Sequence, residues 1–292
     1  MPRRKTQRNL DLIDTCYSIL EAIHPASVRA VCYQLFMRGL LESMAKRHTD
    51  RVSKQLVYAR EEGLLPWEWI VDETRTVERI PTWQTPQAFI DTALYAYRKD
   101  WWAAQPGRVE VWSEKGTVRG TLAPILQAYA VAFRVLHGFG SATVVHGVSE
   151  ESIGDPRPLT IFYVGDWDPS GLFMSERDLP QRLARYGAKV ELQRVALTTV
   201  DVNANNLPFF EAETKRGDSR FQWFTMHYGS QCWELDALNP VALRERVETR
   251  ILGVIDHETW ARYKQVETAE RNSLTGFLQN WHTALSRFNV QG

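Results

Sequence analysis

From His24 to Leu41 the apolar residues Val28, Val31, Cys32, Leu35 and Phe36 recur at i, i+3, i+4, i+7 and i+8, the stripe of one buried helical face. Gly39 loosens or ends that helix. A second helix is expected from an N-cap at Thr49 or Asp50, with Val52, Leu56 and Ala59 inward and Gly63 as its stop. Arg51, Lys54 and Tyr58 then share its outer side. The segment LLPWEWIVDETR (64–75) alternates apolar and polar residues as a strand does, so helix, turn, helix and strand make a small winged-helix pattern. Pro81, Pro86, Pro106 and Gly107 surround the helical run QAFIDTALYAYRKDWW and place a connection at 81–107.

Beyond that connection the pattern changes class. VEVWS (109–113), FRVLHG (133–138), LTIFYVGD (159–166) and KVELQRVAL (189–197) are short apolar runs rich in β-branched and aromatic residues. Helical stretches separate them at 120–131, 141–151 and 170–187. Strands alternating with helices predict a mostly parallel sheet with right-handed crossovers. PVALRERVETRILGVIDHETWARY and SLTGFLQNWHTALSRF add a helical C-terminal extension. The expected organisation is therefore α/β overall, with a DNA-binding-type domain at 1–80, a helical connection at 81–107 and a Rossmann-like sheet with its extension at 108–292.

A length of 292 residues suits about two domains, and 44% hydrophobic with 24% charged residues are globular proportions that exclude a disordered or collagen-like chain. Cys16, Cys32 and Cys232 show no CxxC spacing, so no zinc ribbon or disulfide framework is implied. No apolar run approaches the roughly 18 residues of a membrane span, and the start MPRRKTQRNLDLID carries no apolar core of a signal peptide. A cytoplasmic protein is expected. The formal net charge is zero, but residues 1–60 hold eleven Lys or Arg against five Asp or Glu. A basic N-terminal part suits polyanions, and the acidic remainder suits metal cations.

Ligands on parallel sheets sit at the carboxyl ends of the strands. Glu114 stands there after the first strand, in VWSEKG, and Asp166 and Asp168 after the third, in YVGDWDPSG. Alternate residues of an extended segment project the same way, so the two aspartates can share one cation while Trp167 points elsewhere. An all-oxygen set suits Mg²⁺, with Mn²⁺ as a substitute, and no His or Cys cluster is placed for zinc. Such carboxylates also serve as plain helix caps. Glu234 and Asp236 in ELDAL (234–238) are metal-proximal groups or a solvated edge strand. Lys115 is a phosphate contact or an ordinary surface lysine. Arg51 and Lys54 position phosphates or form a solvated face. Tyr33 lies about 130° from the centre of its helix's apolar stripe and is expected to face outward, one turn from Arg29. The eleven tryptophans read as core and interface anchors.

The glutamate after the first strand, the DxD after the third and the intervening GFGS (138–141) make the 109–197 segment resemble a Toprim domain, the metal–phosphate module of topoisomerases, primases and some nucleases. GDWDPSG resembles the DxDPxG version in the A subunit of topoisomerase VI and the related meiotic double-strand-break protein. That family places a winged helix before its Toprim domain, and its cleaving tyrosine ends an R-x-x-aromatic-Tyr motif. RAVCY (29–33) matches with Arg29 and Tyr33. GLLPWEWIVDETR, QPGRVEVWSEKG and ELDAL look like shorter phage and mobile-element proteins built on the same plan. Cys32 replaces the usual aromatic and Trp167 fills the middle of the DxD, but neither change removes a reacting group.

The resemblance implies a homodimeric, nucleoid-associated enzyme that cleaves and rejoins double-stranded DNA through a 5′-phosphotyrosine at Tyr33. Arg29 would assist, and Glu114, Asp166 and Asp168 would hold Mg²⁺. The family's strand passage needs a separate ATPase subunit, and this sequence carries no P-loop. Two other readings stay open: a Toprim nuclease using water with Tyr33 structural, and a non-catalytic DNA-binding protein of a mobile element.

Overall fold

A computed structural model describes residues 6–71, 80–136, 142–204 and 206–289, with side chains to 281. The chain packs as two compact units, one built from 1–73 and 107–254, the other from 74–106 and 255–292. This differs from the sequential division expected at 81–107.

The first unit opens with α1 (Gln7–Ile23), a two-residue strand β1 (Ala26–Ser27), α2 (Val28–Met37) and α3 (Lys46–Glu61). The Ser27 hydroxyl caps α2 by accepting from the Ala30 N–H. Gly39 and Gly63, at φ +71° and +70°, follow the ends of α2 and α3 in the left-handed region that a side chain disfavours. The predicted stripe of α2 and the inward face of α3 meet α1 in one core of Ile13, Ile19, Val31, Leu35, Val52 and Leu56. Sequence periodicity did not single out α1, and α3 begins at Lys46, three residues before the expected cap. Of the strand expected across 64–75, Trp67–Trp69 forms a 3₁₀ turn and only β2 (Ile70–Val71) is extended, paired parallel to β1. Residues 72–75 lie outside the described ones. The next helix, α4 (Pro86–Ala96), belongs to the second unit.

The first unit continues with β3 (Arg108–Ser113), α5 (Gly116–Ala128), β4 (Ala132–Val135), α6 (Ala142–Gly154) and β5 (Leu159–Val164). After β5 come α7 (Pro169–Phe173), a π turn at Met174–Asp178, α8 (Leu179–Arg185) and β6 (Val190–Ala196). The four long strands form a wholly parallel sheet in the order β4-β3-β5-β6. Trp112, Ile161 and Tyr163 point to one face, into a core with Val145 and Val148 of α6 and Leu179 and Leu183 of α8. Short α9 (Thr199–Asn203), the hairpin of β7 (Phe210–Glu211) and β8 (Gln231–Cys232) around α10 (Phe221–Tyr228), and α11 (Pro240–Leu252) complete the unit. The α/β architecture with a parallel sheet is thus as expected. Helix α11 packs against α5 and β6.

Two features bind 1–73 to the sheet. Arg244 of α11 donates to the carbonyls of Ile23, His24 and Pro25 at the end of α1 and to that of Thr121 in α5. Gly120 of α5 sits so close to β2 that a Cβ there would lie 2.1 Å from Val71 Cγ1. Backbone carbonyls left at a helix end need donors, and one guanidinium supplies them across elements far apart in sequence.

In the second unit, α4 packs against α12 (His257–Asn289). Trp101 and Trp102 meet Trp260 edge-on, Lys99 Nζ lies 2.7 Å from Glu270 Oε1, and Gln105 exchanges two hydrogen bonds with the Asp256 backbone. The run expected to be a mere connection is therefore one side of a helical pair. Among the described residues no helix is long and apolar enough to cross a membrane.

Candidate functional site

Strand order places the site. From β3 the chain crosses to β4 on one side, while β5 pairs with β3 on the other, so connections leave in opposite directions at the carboxyl ends of β3 and β5. Such a switch point leaves a crevice beyond the strand ends. Glu114 follows β3 there, and Gly165 to Asp168 follow β5.

The loop after β5 is fixed by its backbone. Trp167 and Trp233 exchange both main-chain hydrogen bonds, each 2.9 Å, which keeps 166–168 extended. Asp166 and Asp168 are buried. The Trp167 indole packs edge-on against Tyr228 instead, as the alternation predicted. Asp168 caps α7, its Oδ1 accepting from the Gly171 N–H at 2.7 Å, so the helix-cap reading of this carboxylate holds alongside any other role. A Cβ on Gly171 would lie 2.4 Å from the Asp166 carbonyl oxygen, which explains the glycine of DWDPSG.

Sequence reasoning missed the residue that holds this loop. Arg194, in the middle of β6, donates to the carbonyls of Gly165, Asp166, Gly171 and Leu197 and to the Ser175 hydroxyl. Burial pulls its pKa down, against the nearby Tyr163 and Glu176. The signal was available: a charge inside a strand of an all-parallel sheet, where both faces are normally covered.

The carboxylates crowd one another. Burial first, then Asp166 and Asp168, push the Glu114 carboxyl up to about 7. Asp166 is raised too, mainly by burial, against the pull of Lys115. Lys115 Nζ lies 2.8 Å from Asp166 Oδ1 and 3.3 Å from Asp236 Oδ2. Burial alone would lower this ammonium, but the two aspartates hold it above the ordinary lysine value. Lys215, which the sequence gave no reason to select, places Nζ 3.3 Å from Asp168 Oδ2. Among the described residues no three His, Cys, Asp or Glu side chains form a ready cage for a metal ion. The donor chemistry nevertheless suits a hard divalent cation: three carboxylates, of which Glu114 is raised by burial and then by its two acidic neighbours. Cys232 does not compete, since burial and then Asp168 push its thiol up to about 12.

The ELDAL segment is neither solvated nor a strand. It forms a 3₁₀ turn at Leu235–Ala237 that lies on α2. The Leu235 N–H donates to Asp166 Oδ1 at 2.8 Å, the Ser27 hydroxyl to Asp236 Oδ1 at 2.5 Å, and the Arg29 guanidinium makes a two-pronged ion pair with Glu234. This turn corrects the expectation for Tyr33. Tyr33 stays off the α1–α3 core, as its angle predicted, yet it is only 4% exposed because the other side of α2 is covered in turn. Burial, then Glu234, raise its phenol well above the usual tyrosine value, opposed by Arg29, whose own pKa the Glu234 hydrogen bonds raise.

The remaining candidates sit elsewhere on the unit. Lys54 is exposed on α3, and Arg51 is half-buried, donating to Asn9 Oδ1 at 3.2 Å. Arg51 also lines a groove of about 500 Å³ with Arg8, Arg47 and His48. The GFGS run (138–141) lies outside the described residues. Compared with known proteins, the chain matches no protein-family model and no curated sequence.

Proposed function

We propose that this chain is a metal-dependent DNA-cleaving enzyme of the topoisomerase VI A-subunit type, with Tyr33 as nucleophile and a Toprim-like carboxylate site. The observation that carries the reading is the placement of Glu114, Asp166 and Asp168 beyond the strand ends at the switch point of the sheet, where burial and then the two aspartates raise the Glu114 carboxyl to about 7. When bound there, Mg²⁺ or Mn²⁺ supplies charge neutralisation for the phosphoryl transition state and the leaving oxygen.

The chain's own residues do the rest. The Tyr33 oxygen attacks a backbone phosphorus, forming a phosphotyrosine on the 5′ side as the bond to the 3′ oxygen breaks and that oxygen takes up a proton. Arg29 favours the phenolate, opposing the burial that raises Tyr33. Arg8, Arg47, Arg51 and Lys54 give duplex DNA a basic face. On the family likeness the enzyme is a homodimer, works with a separate ATPase subunit if it passes strands, and resides with the nucleoid in the cytoplasm.

A second reading, a nuclease that uses water, draws on the burial of Tyr33 behind the 234–238 turn. One experiment separates the two. After incubation with supercoiled DNA and Mg²⁺ and rapid denaturation, the first reading expects protein covalently attached to 5′ ends and none from Tyr33→Phe. Free 5′-phosphates, with Tyr33→Phe fully active, would establish the water-using nuclease instead.

A further inference from the structure

We propose that Lys115 and Lys215 are phosphate ligands held in reserve, neutralising Asp166 and Asp168 while no cation is bound and passing to a DNA phosphate when one is. The inference rests on the metal-dependent reading above and adds two residues with a defined role. Each aspartate of the DWD triplet carries one ammonium, Lys115 on Asp166 and Lys215 on Asp168, at 2.8 and 3.3 Å. They come from separate segments, Lys115 from the N-cap of α5 and Lys215 from the 3₁₀ turn at Ala212–Lys215.

A divalent cation competes with the two lysines for the charge of these carboxylates. Each positive charge added to the crevice is repelled by those already there, so a bound cation weakens the hold of the carboxylates on both ammonium groups. Metal entry therefore loosens the ammonium groups and favours their transfer to another anion. The Lys115 and Lys215 side chains keep 26% and 44% of their surface open to solvent, although Lys115 also has Asp236 as a partner at 3.3 Å and so is the more firmly held of the two. Arg194 contrasts with them, its guanidinium being committed to four carbonyls and a hydroxyl. A loosened lysine is a flexible point charge with three donors, a group well suited to a phosphate oxygen. The phosphate in turn brings the negative charge that the crowded site then lacks. Metal and DNA should each tighten the other's binding, by the same factor in both directions.

The test measures Mn²⁺ affinity of the full chain by calorimetry, alone and with a short blunt DNA duplex, for wild type, Lys115→Met, Lys215→Met and Lys215→Arg, with circular dichroism to verify folding. In wild type the duplex should tighten Mn²⁺ about tenfold. Lys215→Met, freed of a competing cation, should bind Mn²⁺ alone severalfold more tightly and lose most of the tightening by DNA. Lys115→Met should move the same way, and Lys215→Arg should keep the coupling. Unchanged or weaker Mn²⁺ binding by both methionine variants without DNA would overturn the exchange while leaving the metal site standing. So would a duplex effect as large as in wild type. If wild type binds no Mn²⁺ that Asp166→Ala removes, the metal-dependent reading falls, and the exchange with it.

Discussion

Glu114 joins the chemistry of single groups to a solution measurement. Burial and the neighbouring aspartates lift its carboxyl from 4.5 to about 7, so the folded chain keeps a proton that the unfolded chain has already lost across that window. The folded state therefore binds more protons there, and its stability falls as pH rises from about 4.5 to 7 and then levels off. Glu114→Gln removes the titration while keeping the shape. Its melting temperature relative to wild type should rise between pH 5 and pH 8, even though metal binding is lost. An offset that does not change with pH would remove the case for a raised Glu114 carboxyl. Metal binding in the wild type should also weaken below pH 7, where the cation has to displace a proton. Tyr33 is the second informative residue. Tyr33→Phe deletes one buried hydroxyl beside Arg29, at a cost of about 1 kcal/mol, so loss of covalent adducts in that variant reports on chemistry and not on folding.

The loop after β5 shows what a single element needs in order to present two aspartates. Gly171 admits the Asp166 carbonyl, Trp167 pins the backbone to Trp233, and Arg194 fastens both ends of the loop. Gly165 and Gly171 keep other donors, but Arg194→Lys cannot serve the Asp166 and Leu197 carbonyls together as the guanidinium does, a loss of about 1–3 kcal/mol. Thermal melting should show it, together with weaker Mn²⁺ binding. A variant with wild-type melting and Mn²⁺ affinity would mean that the loop holds itself. Much of this level was legible in the sequence. Central strands covered on both faces read as apolar runs, and so β3 and β5 lie within two residues of their expected ends; the edge strand β6 is found as closely although only its last two residues are buried. The strand-end carboxylates followed from those ends. What periodicity could not give is contact between segments far apart. Tyr33 was placed correctly about the axis of α2 but is covered by residues some 200 positions later, and Lys215 reaches Asp168 from a turn with no local signature. The α1 stripe of Ile13, Cys16, Ile19, Leu20 and Ile23 does have helical spacing, but it begins only in the second turn of a polar, basic leader.

At the scale of the molecule, charge and symmetry are the testable quantities. With eleven Lys or Arg against five acids in residues 1–60, about six phosphate contacts would cost roughly a thousandfold in DNA affinity between 50 and 200 mM salt. Arg51→Ala with Lys54→Ala should lower the slope of log affinity on log salt by about two. An unchanged slope would move the DNA face elsewhere. Symmetry bears on the catalytic pairing. Within one chain, α2 is joined to the carboxylate site through Ser27, Asp236, Lys115 and Asp166, while Glu234, Arg29 and Asp236 are the charges that act most on the buried Tyr33 phenol. The homodimer proposed from the family likeness would let Tyr33 serve the carboxylates of a second copy. If so, Tyr33→Phe and Asp168→Ala, each inactive alone, should regain cleavage when coexpressed. A mixed dimer has one composite site with Tyr33 and Asp168 both present and another with neither, so its product should be single-strand nicks. If every site were built within one chain, each subunit of the mixed dimer would lack one group, and coexpression would restore nothing.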